Sequence, residues 1–293
     1  MNKSFKHIPK EQRKKIMLVC DDIRVHSGVA TVAKEIVIHT AHHFNWVNVA
    51  GAIQHPEKGK VLDISSATNV EAKIEDSSVK LYCVDGYAQS AELQQILNTE
   101  KPDAVMLITD PRYFKHIFNM EDTIRKQCPL VYLNIWDDYP APMYNKPYYE
   151  ACDLLMGISK QTVNINKLVL ADCDNSKRVF KYVPHGLNHK EFYPIGKDHN
   201  EYEPLQQFRT NLVGENIDYV MFFNSRNIRR KQIPDAMLAF RSFLDSLPKE
   251  KADKCRFVLH TELVTDHGTD LGAVAEYLFG EKYEKNIVFS HQK

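Results

Sequence analysis

The residues of this 293-residue chain best suited to chemistry stand at the ends of short apolar runs. Ile16–Cys20 is followed by Asp21, Asp22, His26, Ser27 and Gly28, and Ile108 by Thr109, Asp110, Pro111 and Arg112. Ile135 is followed by Trp136, Asp137 and Asp138, Ile158 by Ser159, and Val183 by Pro184, His185 and Gly186. The densest cationic cluster, Asn224-Ser-Arg-Asn-Ile-Arg-Arg-Lys231, places four positive charges in eight residues after Phe223. Fixed Arg and Lys donors of this kind stabilise the charge that builds on a diphosphate as its bond to a sugar breaks. A glycine such as Gly28 lets a ligand approach the backbone at a helix amino terminus, where unpaired N–H groups favour anions. The combination suits a polar, anionic ligand; the plain alternative for the basic run is a solvated loop. No G-x-G-x-x-G is present, which argues against a dehydrogenase-type dinucleotide site.

The runs themselves say how these residues are held. Strands are expected at Ile16–Cys20, Trp46–Ile53, Val79–Val84, Ala104–Ile108, Leu130–Ile135, Leu154–Ile158 and Phe180–Val183, then at Tyr219–Phe223, Arg256–His260 and Asn286–Phe289. Most are near-continuous apolar stretches, as parallel strands buried on both faces require. Helical spacing appears between them, at Val29, Val32, Ala33, Ile36 and Val37, and again from Ile233 through Met237, Phe240 and Leu244 to Leu247. This alternation predicts a doubly wound α/β fold, whose ligands bind beyond the carboxyl ends of the strands. A polar, proline-containing stretch interrupts it, giving a first domain over 1–190, a linker with a short helix over 191–216, and a second unit over 217–293.

Composition narrows the classes. With 43% hydrophobic and 26% charged residues the chain is globular, and equal counts of Lys+Arg and Asp+Glu (38 each) supply no global field toward nucleic acid or anionic membrane. No apolar run is long enough to span a bilayer. Residues 1–15 carry six Lys/Arg and one Glu and read as a solvated leader, with a peripheral membrane contact as the second reading. Six scattered cysteines without metal spacing fit a reduced, cytoplasmic protein. His39, His42 and His43 at helical spacing are expected to be surface histidines, and Asp137-Asp138 an unmetallated pair, so no metal site is expected.

Several motifs share one resemblance. Tyr219–Ala239 (YVMFFNSRNIRRKQIPDAMLA) resembles the element that opens the second domain of retaining GT-B glycosyltransferases, family 4 or group 1, with Arg226 and Lys231 at the family's Arg and Lys and Gln232 where glycine is usual. Val183-Pro-His-Gly-Leu-Asn-His-Lys-Glu-Phe-Tyr-Pro194 is similar to the family's P-N/H-G-V-D…F-x-P element, Ala151–Ser159 to its A-D-x-x-x-x-x-S strand, and Asp22–Val37 to its first loop and helix. The resemblance implies a GT-B-like chain: a Rossmann-like, acceptor-side first domain and a second Rossmann-like domain for the nucleotide-sugar donor. It implies a hexosyltransferase-type enzyme that moves a sugar from a nucleotide-diphosphate sugar to a glycan, lipid, protein or nucleic-acid acceptor. Configuration would be retained, with no cofactor and no obligate metal.

By the same resemblance Arg226 and Lys231 grip the diphosphate, Gly28, His185 and Gly186 lie at the donor, and Asp22, Asp110 and Asp137 line the acceptor side. Two departures stand beside it. Trp136 replaces the family's His before Asp137, and the acidic E-x7-E element of the second domain is not reached before Lys293. Residues 215–293 make barely half of a Rossmann-like domain, so the second domain is expected to be incomplete. The rival expectation is therefore a truncated or inactive GT-B-like protein that binds a nucleotide sugar, or a partner, without turnover. A nucleic-acid-associated protein using the basic segments is a weaker third, against which the zero net charge counts.

Overall fold

The computed structural model describes residues 7–290 and divides the chain into two units, 1–187 and 188–293. The first unit is built on eight strands: β1 (Lys14–Asp21), β2 (Phe44–Gly51), β3 (Val61–Asp63), β4 (Val79–Cys83), β5 (Ala104–Ile108), β6 (Leu130–Asn134), β7 (Leu154–Gly157) and β8 (Val179–Tyr182). They lie in the order β3-β4-β2-β1-β5-β6-β7-β8, all parallel except β3, which pairs antiparallel with β4. Strand order reverses between β1 and β5, and such a switch point opens a crevice beyond the carboxyl ends of both strands. All ten expected strands form, within two residues of their expected ends. The short β3 has no apolar run to announce it; it stands because its backbone pairs with an existing edge.

Period-two alternation explains why β1 reads as one apolar run. Met17 and Val19 face one core, with Leu93, Leu97, Ile165 and Val169 of the helices Ser90–Glu100 and Lys160–Val169. Leu18 and Cys20 face the other, with Ala33 and Val37 of the helix Gly28–Thr40. Each large apolar side chain covered this way contributes about 1.5–3 kcal/mol, so both faces demand apolar residues at every position.

The second unit holds β9 (Tyr219–Asn224), β10 (Cys255–His260) and β11 (Ile287–Ser290), parallel in the order β11-β10-β9. Met237, Phe240 and Leu244 of the helix Ile233–Asp245 pack with Phe257, Leu259 and Phe279 on one face. Val258 packs on the other with Val213, the end of the helix Tyr202–Val213, and Ile217. That helix of 12 residues is longer than the short helix expected in the polar stretch after 190.

The basic leader is only partly a solvated one. Residues 1–6 lie outside the described residues, and with them two of the six Lys/Arg behind the membrane-contact expectation. Arg13 is buried and donates to Asp76 Oδ2 (2.6 Å) and to the Ile8 carbonyl (2.6 Å). Lys14 and Lys15 already belong to β1, where Lys15 pairs with Glu100 at 2.9 Å. Glu100 is itself buried, which pushes its carboxyl up; bonds from Lys15, Tyr82 and Lys80 outweigh this and hold it at about 2. No helix among the described residues is long and apolar enough to cross a membrane.

Candidate functional site

At the carboxyl end of β1 a polar network fixes the turn into the first helix. Ser27 caps that helix by accepting the Ala30 N–H (3.0 Å) and donates its own hydroxyl to Asp21 (2.5 Å), which also accepts from the Tyr87 phenol (2.9 Å). Burial, and then the Asp21 charge, push the Tyr87 hydroxyl well above the usual phenol range, so it stays a donor. Gly28 is exposed, and a Cβ there would meet nothing within 4 Å. Neither crowding nor backbone conformation therefore requires glycine at this position, but its absence of side chain leaves the helix terminus open to solvent.

Asp22 is buried and its two oxygens are taken. Oδ1 accepts from the Arg24 backbone (2.9 Å) and Nε (3.0 Å), and Oδ2 from Arg24 Nη2 (2.7 Å). His55 Nε2 lies 3.0 Å from the same Oδ2; because the Glu57 N–H donates to His55 Nδ1 (3.0 Å), the imidazole proton sits on Nε2 and points at Asp22. Burial raises the Asp22 carboxyl, but the Arg24 and His55 bonds prevail and hold it below the ordinary range. His55, Glu57 and Cys83 offer ligating atoms within 4.8 Å of one another, yet Arg24 already bonds Glu57 at 3.2 Å and supplies the positive charge there. His39, at the surface, pairs with Glu35 one turn back (3.0 Å).

Beyond β5, Asp110 caps the short turn Pro111–Phe114 and is forked by Arg112, whose Nε lies 2.9 Å from Oδ1. Burial raises its carboxyl, and the Arg112 bonds more than reverse this. Beyond β6, Trp136 is fixed at three points. Its N–H donates to Asn134 Oδ1 (3.0 Å), its carbonyl accepts from Thr162 (2.8 Å), and its indole donates to the Asp138 carbonyl (3.1 Å). Asp137 is exposed, and its carboxylate is unpaired among the described residues. Ser159 caps the helix Lys160–Val169 through the Thr162 N–H (2.9 Å). His185 and Gly186 lie exposed after β8 with no hydrogen bond of their side chains or amides among the described residues.

The cationic cluster belongs to the second unit, beyond β9, on a different sheet from the carboxylates. Arg226, Arg229, Arg230 and Lys231 are exposed, and their side chains make no hydrogen bond or ion pair among the described residues. The loop carrying them is not loose. Asn227, 2% exposed, donates to the carbonyls of Leu263 (3.1 Å) and Thr269 (2.7 Å) and accepts from the Thr269 N–H (3.1 Å). Thr265 donates to the Asn227 carbonyl (2.5 Å), and the Arg229 N–H to that of His267 (3.0 Å). Gly268 packs so tightly on Asn227 that a Cβ would collide with its amide oxygen. Gln232 ends the turn at φ 49°, ψ 42°, the left-handed conformation for which glycine is the ordinary choice. Four charges that repel one another are thus held together by uncharged bonds beneath them.

Asn48, His55 and Asn227 escape sequence reasoning. Asn48, fully buried within β2, donates to the Leu18 carbonyl (3.2 Å) and accepts from Ile23 N–H (3.3 Å), shaping the end of β1 from a neighbouring strand. The only local signal is a polar residue inside an apolar run. A shallow depression lined by Asp122, Arg125, Lys126 and Asp153 lies at the amino ends of β6 and β7, away from the crevice, and its Arg125 and Asp153 pair with each other at 2.9 Å.

No protein-family profile matches this sequence, and no curated protein matches it. Solved structures match in fold. Trehalose-6-phosphate synthase OtsA is 13% identical, with a TM-score of 0.62 over 96% of this chain and 74% of that one. The α,α-trehalose-phosphate synthase (UDP-forming) from Burkholderia vietnamiensis is 11% identical, with a TM-score of 0.64 over 98% of this chain and 74% of that one. The Burkholderia xenovorans enzyme, solved in complex with glucose-6-phosphate, is 12% identical, with a TM-score of 0.63 over 96% and 75%. At these identities the likeness is one of fold: the chain has the α/β, GT-B-like architecture of these structures.

Proposed function

We propose that the chain is a glycosyltransferase that takes a sugar from a nucleotide-diphosphate donor, with UDP as the leaving group. The observation that carries this reading is the Arg226–Lys231 turn: cations that are exposed and unpaired, at a strand's carboxyl end, on a loop braced from below by Asn227. Exposed, preorganised donors stabilise charge that appears only as the glycosidic bond to the diphosphate breaks, so they favour the transition state over the ground state. The choice of nucleotide is supported by the Burkholderia vietnamiensis synthase, a UDP-forming enzyme of like fold.

In this reading Arg226 and Lys231 hold the diphosphate, and Gly28, His185 and Gly186 are assigned to donor binding by resemblance. Transfer is of hexosyltransferase type and retains configuration, the leaving phosphate taking the acceptor proton. Asp110 and Asp137 serve the acceptor side. Asp22, also assigned there by resemblance, would act through the turn it braces with Arg24 and His55, since both its oxygens are engaged. One observation favours a second reading, binding without turnover. Of the three carboxylates only Asp137 is free of arginine.

Calorimetric titration with UDP and UDP-sugars tests the donor site. Each of Arg226→Ala and Lys231→Ala should weaken binding about 10- to 100-fold, the worth of one charge-assisted bond. Wild-type affinity in both variants, or no binding of any nucleotide sugar, sinks the assignment. Release of free sugar or transfer product separates turnover from binding alone.

A further inference from the structure

We infer that the acceptor is an unphosphorylated saccharide, received on an aromatic corner formed by Trp136 and Tyr144 with Asp137 and Asp138 at its edge. The inference rests on the glycosyltransferase reading and adds to it the chemical class of the second substrate.

The corner is built from the loops beyond β5 and β6, at the end of the sheet where ligands of this fold class bind. Tyr144 stands edge-on to Trp136, ring centroids 5.9 Å apart at 76°. Tyr144 is 65% exposed and Tyr113, on the neighbouring turn, 64%. Trp136 packs against the first unit's core, and the exposed Tyr144 stands on its outer edge. Polar bonds fix Trp136: its indole N–H goes to the Asp138 carbonyl, and its backbone bonds Asn134 and Thr162. Tyr139 accepts from Asn164 Nδ2 (3.0 Å). Two prolines, Pro140 and Pro142, stiffen the loop between them, so little further order is lost when a ligand arrives.

A pyranose has a C–H face and a rim of hydroxyls. Its face stacks on an aromatic ring, and its hydroxyls donate to carboxylates. An exposed tyrosine resting on a fixed tryptophan, beside unpaired carboxylates, matches both halves of that surface. Charge decides between a plain and a phosphorylated sugar. The cation at the corner, Arg112, lies 5.9 Å from the Trp136 ring centroid but is forked by Asp110. Asp137 and Asp138 are exposed and form no ion pair among the described residues. The local balance is therefore negative, and a phosphate or a nucleic-acid backbone placed here would meet like charge.

Trp136 reports on its own site, because the second of the chain's two tryptophans, Trp46, is 3% exposed in the core. The full chain is titrated with a panel of neutral mono- and disaccharides, with glucose-6-phosphate and with a single-stranded oligonucleotide, following indole emission; UDP binding is measured calorimetrically on the same samples. A saturating change with at least one neutral sugar is expected, weakened about three- to tenfold in Tyr144→Ala. Asp137→Asn with Asp138→Asn should weaken the neutral sugar and strengthen glucose-6-phosphate. Tighter binding of glucose-6-phosphate or of the oligonucleotide than of every neutral sugar overturns the inference, as does no response to the neutral panel. UDP binding kept while saccharides fail overturns this inference alone; saccharides kept while UDP fails overturns the donor reading alone.

Discussion

Asn227→Ala should destabilise the second unit locally by about 3 kcal/mol. The amide is 2% exposed, and its three bonds all go to main-chain groups of the 261–270 loop. A net worth of about 1 kcal/mol per bond, with added desolvation for partners left bare, gives a span of about 2–4 kcal/mol. The bonds from Thr265 to the Asn227 carbonyl and from the Arg229 N–H to His267 survive the substitution, so the loop should loosen without detaching. Both tryptophans lie in the first unit, so amide hydrogen exchange is the suitable readout. Peptides covering 225–232 and 261–270 should exchange about 100-fold faster or more, since each 1.4 kcal/mol is about tenfold. UDP binding should weaken with the loosening, because the cations then pay the ordering entropy on binding. Asn227→Asp keeps the acceptor for Thr269 N–H, loses both donors and buries a charge, so it should be no milder than alanine. Exchange within about threefold of wild type would refute the reasoning, since the three bonds would then be worth less than about 0.7 kcal/mol together.

Two further outcomes follow from single positions. Gln232→Gly should raise stability by about 0.5–1 kcal/mol by removing a Cβ from the left-handed conformation at φ 49°, and a lowered denaturation midpoint would show that the side chain contributes more than the strain costs. Glu100, held at about 2 by Lys15, Tyr82 and Lys80 against its burial, contributes stability that is full above about pH 5 and is lost as pH falls through about 4 toward 2. The contribution is about 2–3 kcal/mol, discounted because Lys15 and Lys80 are part-exposed. The stability gap between wild type and Glu100→Gln, measured by urea unfolding, should therefore close as pH falls from 5 to 2; a constant gap contradicts it.

The strands were legible in the sequence because burial on both faces of a parallel sheet writes itself as a local apolar run, and residues that end such runs must lie at one end of the sheet. Chain order likewise announced Gly28, Asp110, Asp137 and the Arg226–Lys231 cluster as groups standing at strand ends. What those groups are free to do was not local. Asp22 and Asp137 are the same residue type in similar settings, yet His55, 33 residues away, and Arg24 close both oxygens of one while the other stays open. Asn227 reads as one polar residue in a basic loop, and only its bonds across 36 and 42 residues make it the support of that loop. Hydrophobic periodicity records what each residue buries. Hydrogen-bond satisfaction is a property of pairs, so it is decided only when the folded chain brings distant partners within about 3 Å.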